Sequence, residues 1–183
     1  MVGSDSGAVT IHLRSLFAEG IQFSTSSAPD EHTIGFVYWD EDANTLAVMT
    51  DVQNVVLQVG QEQYIKVRNK TGSQINNGEA VYVTGAVGEQ PTIAKARADA
   101  EATSYAIGLM TEDIADNGQS YCTTSGVVRD IDTDAFNEGN LLWLSSTAAG
   151  GLTTTKPAAP NHAVRVGCVL KAHATEGMIL VTM

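Results

Sequence analysis

The sequence predicts an all-β fold: two related β-barrel or sandwich-like repeats in tandem, preceded by an N-terminal arm and hairpin. The main observation is that the segment 75–83, INNGEAVYV, recurs as the segment 136–144, FNEGNLLWL. Each copy begins with a large apolar residue, turns through Asn-x-Gly and enters an apolar run that contains Tyr82 or Trp143. Such a recurrence indicates duplication of one β unit of about 60 residues.

The glycines downstream keep nearly the same spacing in both copies, which is the second observation. In the first copy these glycines are Gly78, Gly108 and Gly118. In the second copy they are Gly139, Gly167 and Gly177, at offsets of 61, 59 and 59 residues. Because few residues are identical between the copies, chance similarity is the alternative to duplication.

Residues 1–62 form the N-terminal arm and attachment region of the prediction. Residues 1–8 are small and polar and predict an arm, and the alternation over residues 9–13 predicts a strand, with a short helix over 10–20 as the alternative. Two apolar segments, 34–39 and 45–49, flank an acidic turn and predict a hairpin.

Residues 63–183 form the predicted duplicated domain, with repeats at about 63–128 and 129–183. A strand is expected over 64–69 and a turn over 85–88. Charged residues alternate with alanine over 95–102, where no large apolar side chain anchors either a helix or a strand. We expect a surface strand or loop there.

The composition argues against nucleic acid as a partner. The chain has 183 residues, of which 43% are hydrophobic and only 17% charged, and its 21 acidic and 10 basic residues give a net charge of −11. A phosphate-binding surface needs clustered Lys and Arg, whereas these are scattered. A surface poor in charge and rich in small polar residues is typical of rigid β proteins in assemblies.

The number of cysteines and the hydropathy of the chain set further limits on the class of protein. Cys122 and Cys168 are too few and too far apart for a disulfide framework or a zinc site, so reduced thiols are expected. The N-terminus has no basic segment followed by an apolar run, so no signal peptide is predicted. No window approaches the roughly 18 apolar residues of a membrane span, so no membrane partner is expected.

The motifs of enzymes and metal sites are missing from the sequence. The four histidines are isolated, and neither a Gly-x-Ser-x-Gly elbow nor a phosphate-binding loop occurs. Asp130, Asp132 and Asp134 resemble the start of a calcium loop, but Ala135 and Leu141 replace its essential Gly and Glu. We therefore predict a non-enzymatic protein with no cofactor and no metal. A calcium site of another geometry on these three aspartates, and an enzyme that acts on surface sugars, are the alternatives.

Four aromatic residues are candidates for interface or glycan contacts: Tyr38, Trp39, Tyr82 and Trp143. Flat rings with polar edges suit both kinds of partner. Burial in the core is the alternative, and the matching repeat positions of Tyr82 and Trp143 favour it.

Several segments resemble a domain of tailed-bacteriophage virion proteins. They are residues 71–73, 77–85, 107–114, 150–153 and 164–167, and residues 23–49 resemble the segment that precedes the domain. The resemblance covers roughly residues 60–183 and rests on structural glycines and apolar strands. It implies tail-fibre or capsid-associated chains, often homotrimers, and carries no catalytic residue.

Within that family, the compact β body and the small polar arm favour a capsid decoration or cement protein. The chain ends at the last strand of the second repeat and leaves no room for a fibre shaft. The expected partner is the major capsid protein, which the chain would bridge at the capsid surface of the virion after synthesis in the host cytoplasm. The alternative is a short tail-fibre or collar (head-fibre) component that binds host surface polysaccharide.

Overall fold

The computed structural model describes residues 22–24 and 31–183. This part of the chain contains twelve strands and one short helix, so the all-β prediction is confirmed. The predicted arm over residues 1–8, and the strand or helix expected between residues 9 and 20, lie outside the described residues.

A small antiparallel sheet comes first in the described part. It has the order β1-β2-β3, with β1 at Val37–Asp40, β2 at Thr45–Met49 and β3 at Val56–Gln58. The predicted hairpin is therefore confirmed. Its turn closes because the Asp40 carboxylate accepts a hydrogen bond of 2.9 Å from the Ala43 backbone N–H.

The other nine strands form one large sheet in the order β10-β9-β11-β12-β8-β4-β6-β5-β7. Their bounds are β4 Gln63–Asn69, β5 Ala80–Val87, β6 Gln90–Lys95, β7 Ala106–Met110, β8 Gln119–Ile131, β9 Leu141–Leu144, β10 Leu152–Thr153, β11 Arg165–Lys171 and β12 Gly177–Thr182, and the helix α1 is Glu101–Ser104. Because β7 also pairs with β8, the strands β8, β4, β6, β5 and β7 close into a five-stranded barrel.

The long strand β8 belongs to both parts of the large sheet. Its first half pairs with β4 and β7 in the barrel, and residues 125–131 pair with β12, which leads on to β11, β9 and β10. The predicted division between residues 128 and 129 falls inside this strand, so the two halves share one continuous backbone segment.

Strand pairing recurs between the two halves, but barrel closure does not. The antiparallel series β5-β7-β8 has its counterpart in β9-β11-β12. In the described residues the parallel β4–β6 pairing closes the first set, whereas β10 has two residues and pairs with β9 alone. One barrel forms, not two, and duplication of an ancestral unit stays a prediction.

The glycines at the start of the two copies have the same local role. Gly78 has a φ of 78° and its N–H donates to Met110 O, and Gly139 has a φ of 80° and donates to Val169 O. A positive φ is accessible to glycine without strain, so each Asn-x-Gly turn leads its strand into the sheet in the same way.

The core consists of two groups of buried side chains. One group is contributed mainly by the five barrel strands and fills the barrel: Val67, Ile75, Val81, Ile93, Met110, Ile114 and Cys122. The larger group underlies the sheet extension: Ala80, Ala96, Ala98, Leu109, Val128, Ile131, Leu142, Leu144, Val166, Val169, Ile179 and Val181. Cys122 and the half-buried Cys168 are both free thiols, as expected from the sequence.

The expectation of a surface segment over residues 95–102 is wrong in part. Ala96 and Ala98 are fully buried, and their backbone groups bond to the β9–β10 region: Ala98 N–H donates to Ser145 O, and Gly150 N–H donates to Ala96 O. Buried and exposed residues alternate over 96–99, whereas residues 100–102 are exposed, as predicted, and residues 101–102 begin the helix α1. These backbone hydrogen bonds and the two buried alanines fix this connection against the β9–β10 region.

The predicted turn over residues 85–88 is shifted. Gly85 lies inside β5 at a β-bulge, and the chain reverses at Gly88 and Glu89.

Candidate functional site

A cleft of about 540 Å³ lies between the small sheet and the barrel. The small sheet contributes Tyr38, Asp40 and Gln58 to its lining, and the large sheet contributes Tyr64 and Arg129. In the described part of the chain no strand of the small sheet pairs with a strand of the large one. Side-chain contacts around this cleft therefore hold the two sheets together.

The first contact group centres on Glu62, whose side chain is fully buried. Its carboxylate forms an ion pair with the Arg129 guanidinium and accepts a hydrogen bond from the Tyr64 hydroxyl. The backbone N–H of Gln58 donates to the same carboxylate at 3.4 Å. Because Gln58 belongs to β3, these contacts link the small sheet to β4 and β8.

A glycine allows β8 to approach Glu62. Gly126 has a φ of 115°, and a Cβ at this position would lie 2.7 Å from both the Gln61 carbonyl oxygen and the Glu62 Cα. A larger residue would push β8 away from the turn that holds Glu62.

Tyr64 is a neutral donor in this group. Burial, and next the charge of Glu62, raise the pKa of the Tyr64 phenol well above its usual range. The hydroxyl also lies 3.2 Å from the carbonyl oxygen of Val56 in β3. Since a hydroxyl has one hydrogen, Glu62 and Val56 compete for it, and both positions keep Tyr64 against the small sheet.

The second contact group centres on Asp51, in the segment between β2 and β3. Its carboxylate accepts hydrogen bonds from Lys66 of β4 and, at 2.7 Å, from the Tyr121 hydroxyl of β8. The Lys66 and Tyr121 hydrogen bonds hold the pKa of Asp51 below its usual value. Burial, followed by the hydrogen bond to Asp51, raises the pKa of Tyr121 to about 12.

The acidic groups around the cleft already serve the fold. Asp40 accepts a hydrogen bond from the Gln58 amide at 3.3 Å, and Glu112 accepts one of 2.7 Å from the Ser120 hydroxyl. Asn77 donates to two carbonyl oxygens of β8, while its own Oδ1 is buried without a partner. This arrangement is that of a structural junction between two sheets.

The four aromatic candidates lie at three separate places. Tyr38 lines the cleft, and its ring centroid is 6.3 Å from that of Phe36, while the neighbouring Trp39 is half-buried. Tyr82 packs against the larger core group, which agrees with the core interpretation. Trp143 is half-buried, with the Lys156 ammonium 5.3 Å from its ring centroid. No ring contact among the described residues joins two of the four.

Neither a metal centre nor a spanning helix emerges from the described residues. Within residues 22–24 and 31–183, no group of three or more His, Cys, Asp or Glu side chains is placed to hold a metal ion. Of the three spaced aspartates, Asp130 lies at the cleft and has a φ of 55°. None of the helices in these ranges is long and apolar enough to cross a membrane.

Sequence patterns gave only one indication of the junction residues, because the partners lie far apart in the chain. Glu62 and Arg129 are 67 positions apart, and Asp51 and Tyr121 are 70 apart. The one local indication was the predicted boundary near residue 62. No family model matches the chain, and no curated protein matches it either.

Proposed function

We propose that this chain is a non-enzymatic virion structural protein that decorates and stabilises a phage capsid by bridging major capsid protein subunits. The supporting observation is the small sheet, a separate unit fastened to a closed barrel by the Glu62 and Asp51 contact groups. An attachment unit on a rigid body is what a protein that bridges subunits requires.

The small sheet carries exposed apolar side chains at its N-terminal end. Ile34, Phe36 and Val37 are 69%, 45% and 38% exposed, and they lie within four consecutive residues. Several exposed large apolar side chains in one short segment favour an interaction surface, whereas single ones are normal. With a net charge of −11 on the chain, the partner surface is neutral or basic.

The mechanism is thermodynamic linkage. A protein that binds the assembled shell, and not its dissociated subunits, stabilises the shell by the free energy of binding at every occupied site. As a homotrimer, the chain would present three attachment units around one axis and so reach several capsid subunits at once. Neither step uses a cofactor, a membrane or nucleic acid.

The experiment is to add the purified chain to capsids that lack it. We expect saturable co-sedimentation with the shells and a higher temperature of shell rupture in the saturated particles. Dissociated capsid subunits serve as the control and should bind weakly. Absence of co-sedimentation at micromolar concentrations would refute the proposal.

A second candidate, a tail-fibre or collar component that binds host polysaccharide, is favoured by one surface feature. Trp143 combines a partly exposed ring with the Lys156 ammonium above it, a pairing able to hold a sugar ring and its hydroxyl groups. A glycan-array signal that Trp143→Ala abolishes and Tyr82→Phe preserves would support this candidate. Absence of any glycan signal from the native chain would eliminate it.

A further inference from the structure

The small sheet has a free outer edge in the described part of the chain, formed by β1. The order β1-β2-β3 leaves β1, Val37–Asp40, with a partner on one side only. Among the described residues the terminal strands β3 and β10 also pair on one side only. The same holds for parts of longer strands, such as residues 63–67 of β4 and 83–87 of β5. In an antiparallel pair, alternate residues turn their N–H and C=O groups away from the partner strand, so β1 presents unpaired backbone groups to the outside.

This edge has only some of the features by which proteins usually protect free strands. Short length, charged side chains and prolines commonly block edge-to-edge pairing. The strand β1 is short, with four residues, and ends at the charged Asp40, but residues 34–39 read Ile-Gly-Phe-Val-Tyr-Trp and contain neither a charge nor a proline. Ile34, Phe36 and Val37 are also exposed. The edge is therefore suited to accept another strand.

The acidic turn at the end of β1 favours a basic side chain on any strand that pairs with this edge. The turn after β1 contains Asp40, Glu41 and Asp42, and Glu41 and Asp42 are exposed. Ion pairs in the described residues involve Asp51, Glu62, Glu79, Asp99 and Glu176, so none neutralises this turn. A Lys or Arg side chain on the incoming segment would meet an uncompensated acidic group.

We propose that the free edge of β1 receives an extended segment of the major capsid protein, which adds as a fourth strand to the small sheet. This rests on the proposed function. The segment is apolar and about five residues long, the usual length of a strand, and carries a Lys or Arg where it passes residues 40–42. Backbone hydrogen bonds provide the affinity, and the apolar and basic side chains provide the specificity.

Hydrogen exchange tests the strand addition directly. The amides of residues 34–40 are compared between the free chain and the chain bound at saturation to capsids. We expect slower exchange on binding for the β1 amides that face away from β2, because their unpaired N–H groups become hydrogen-bonded. The N–H groups of Gly35 and Phe36 already donate to Met49 O and Thr33 O and should change little. The β5–β6 hairpin tip, residues 83–90, is the internal control and should keep its rate. Unchanged exchange over 34–40 in bound chains would overturn the proposal.

A pair of matched variants separates this proposal from the proposed function. Val37→Lys places a charge on the β1 edge, and Val87→Lys is the control, since Val87 is similarly exposed at 47% on the distant hairpin. We expect capsid binding at least about tenfold weaker for Val37→Lys and near-native for Val87→Lys, with both variants melting at the native temperature. Salt should weaken native binding, and Asp42→Lys should reduce that salt dependence.

The outcomes are distinguishable. If the native chain binds no capsid, the proposed function fails, and the assignment of the edge fails with it. Should native and Val37→Lys chains bind equally well, only the edge assignment is overturned. A free-chain oligomer that Val37→Lys dissociates, without protection of residues 34–40 on capsids, would assign the edge to self-association and overturn the proposal as well.

Discussion

Replacing Arg129 with methionine is expected to lower the free energy of unfolding by about 3 kcal/mol. The variant removes the cation that faces Glu62, whose side chain is fully buried. The carboxylate would then keep the Tyr64 hydroxyl and the more distant Gln58 N–H, at 3.4 Å, as its donors. These neutral donors do not compensate for the desolvation of a full charge.

The size of this loss of stability follows from the unequal burial of Glu62 and Arg129. Removing one member of a buried ion pair typically costs about 3–5 kcal/mol, because the other charge stays buried and unpaired. The Arg129 side chain is 34% exposed, so water already reaches one side of the pair, and we expect the lower end of that range.

Urea unfolding at neutral pH, followed by tryptophan fluorescence, measures the effect, since Trp39 lies in the small sheet and Trp143 in the large one. The double variant Glu62→Leu with Arg129→Met should recover most of the loss, because an apolar pair needs no desolvation of charge. Arg97→Met removes an exposed ion pair with Asp99 and should leave stability unchanged. A loss below about 1 kcal/mol for Arg129→Met would refute the account of Glu62 as a buried junction charge.

Three further predictions concern a glycine, a carboxylate and the thiols. Gly108→Ala should destabilise the fold by about 3 kcal/mol in urea unfolding, because the new Cβ would overlap the Thr123 carbonyl oxygen. In Gly139→Ala the new Cβ meets no atom within 4 Å, so this variant should cost only about 1 kcal/mol, through its positive φ. Because the pKa of Asp51 is lowered in the folded state, its stabilising contribution is present above the unfolded pKa near 4 and is lost as the pH falls through the folded pKa. The difference in stability between the native protein and Asp51→Asn should therefore shrink below about pH 4. A difference that stays constant with pH would contradict this. Burial raises the pKa of Cys122 to about 12. A thiol reagent should therefore modify the half-buried Cys168 in the native protein and Cys122 only after unfolding. Two reactive thiols per native chain would contradict the buried position of Cys122.

Local patterns predicted those parts of the fold that depend on neighbours in sequence. The acidic turn at residues 40–44 and its flanking apolar runs predicted the β1–β2 hairpin, and the alternation over 64–69 predicted β4. The repeated Asn-x-Gly pattern predicted a turn at Gly78 and at Gly139, and both glycines adopt the positive φ that such a turn favours.

Features that depend on distant parts of the chain were not accessible. Ala96 and Ala98 looked like surface residues because their burial is decided by the backbone around Ser145 and Gly150. One barrel closes, instead of two, because β4 pairs with β6, whereas β10 has only two residues. The Glu62–Arg129 pair joins residues that meet only when β8 packs beside the start of β4.

The measurement that tests the proposed function most directly is the number of copies of this chain relative to the major capsid protein in purified virions, by quantitative mass spectrometry. Decoration of the shell lattice predicts a ratio near one to one, or at least hundreds of copies in each particle, because every repeated junction is a binding site. A handful to a few dozen copies would contradict decoration of the lattice and assign the chain to the tail or the vertices.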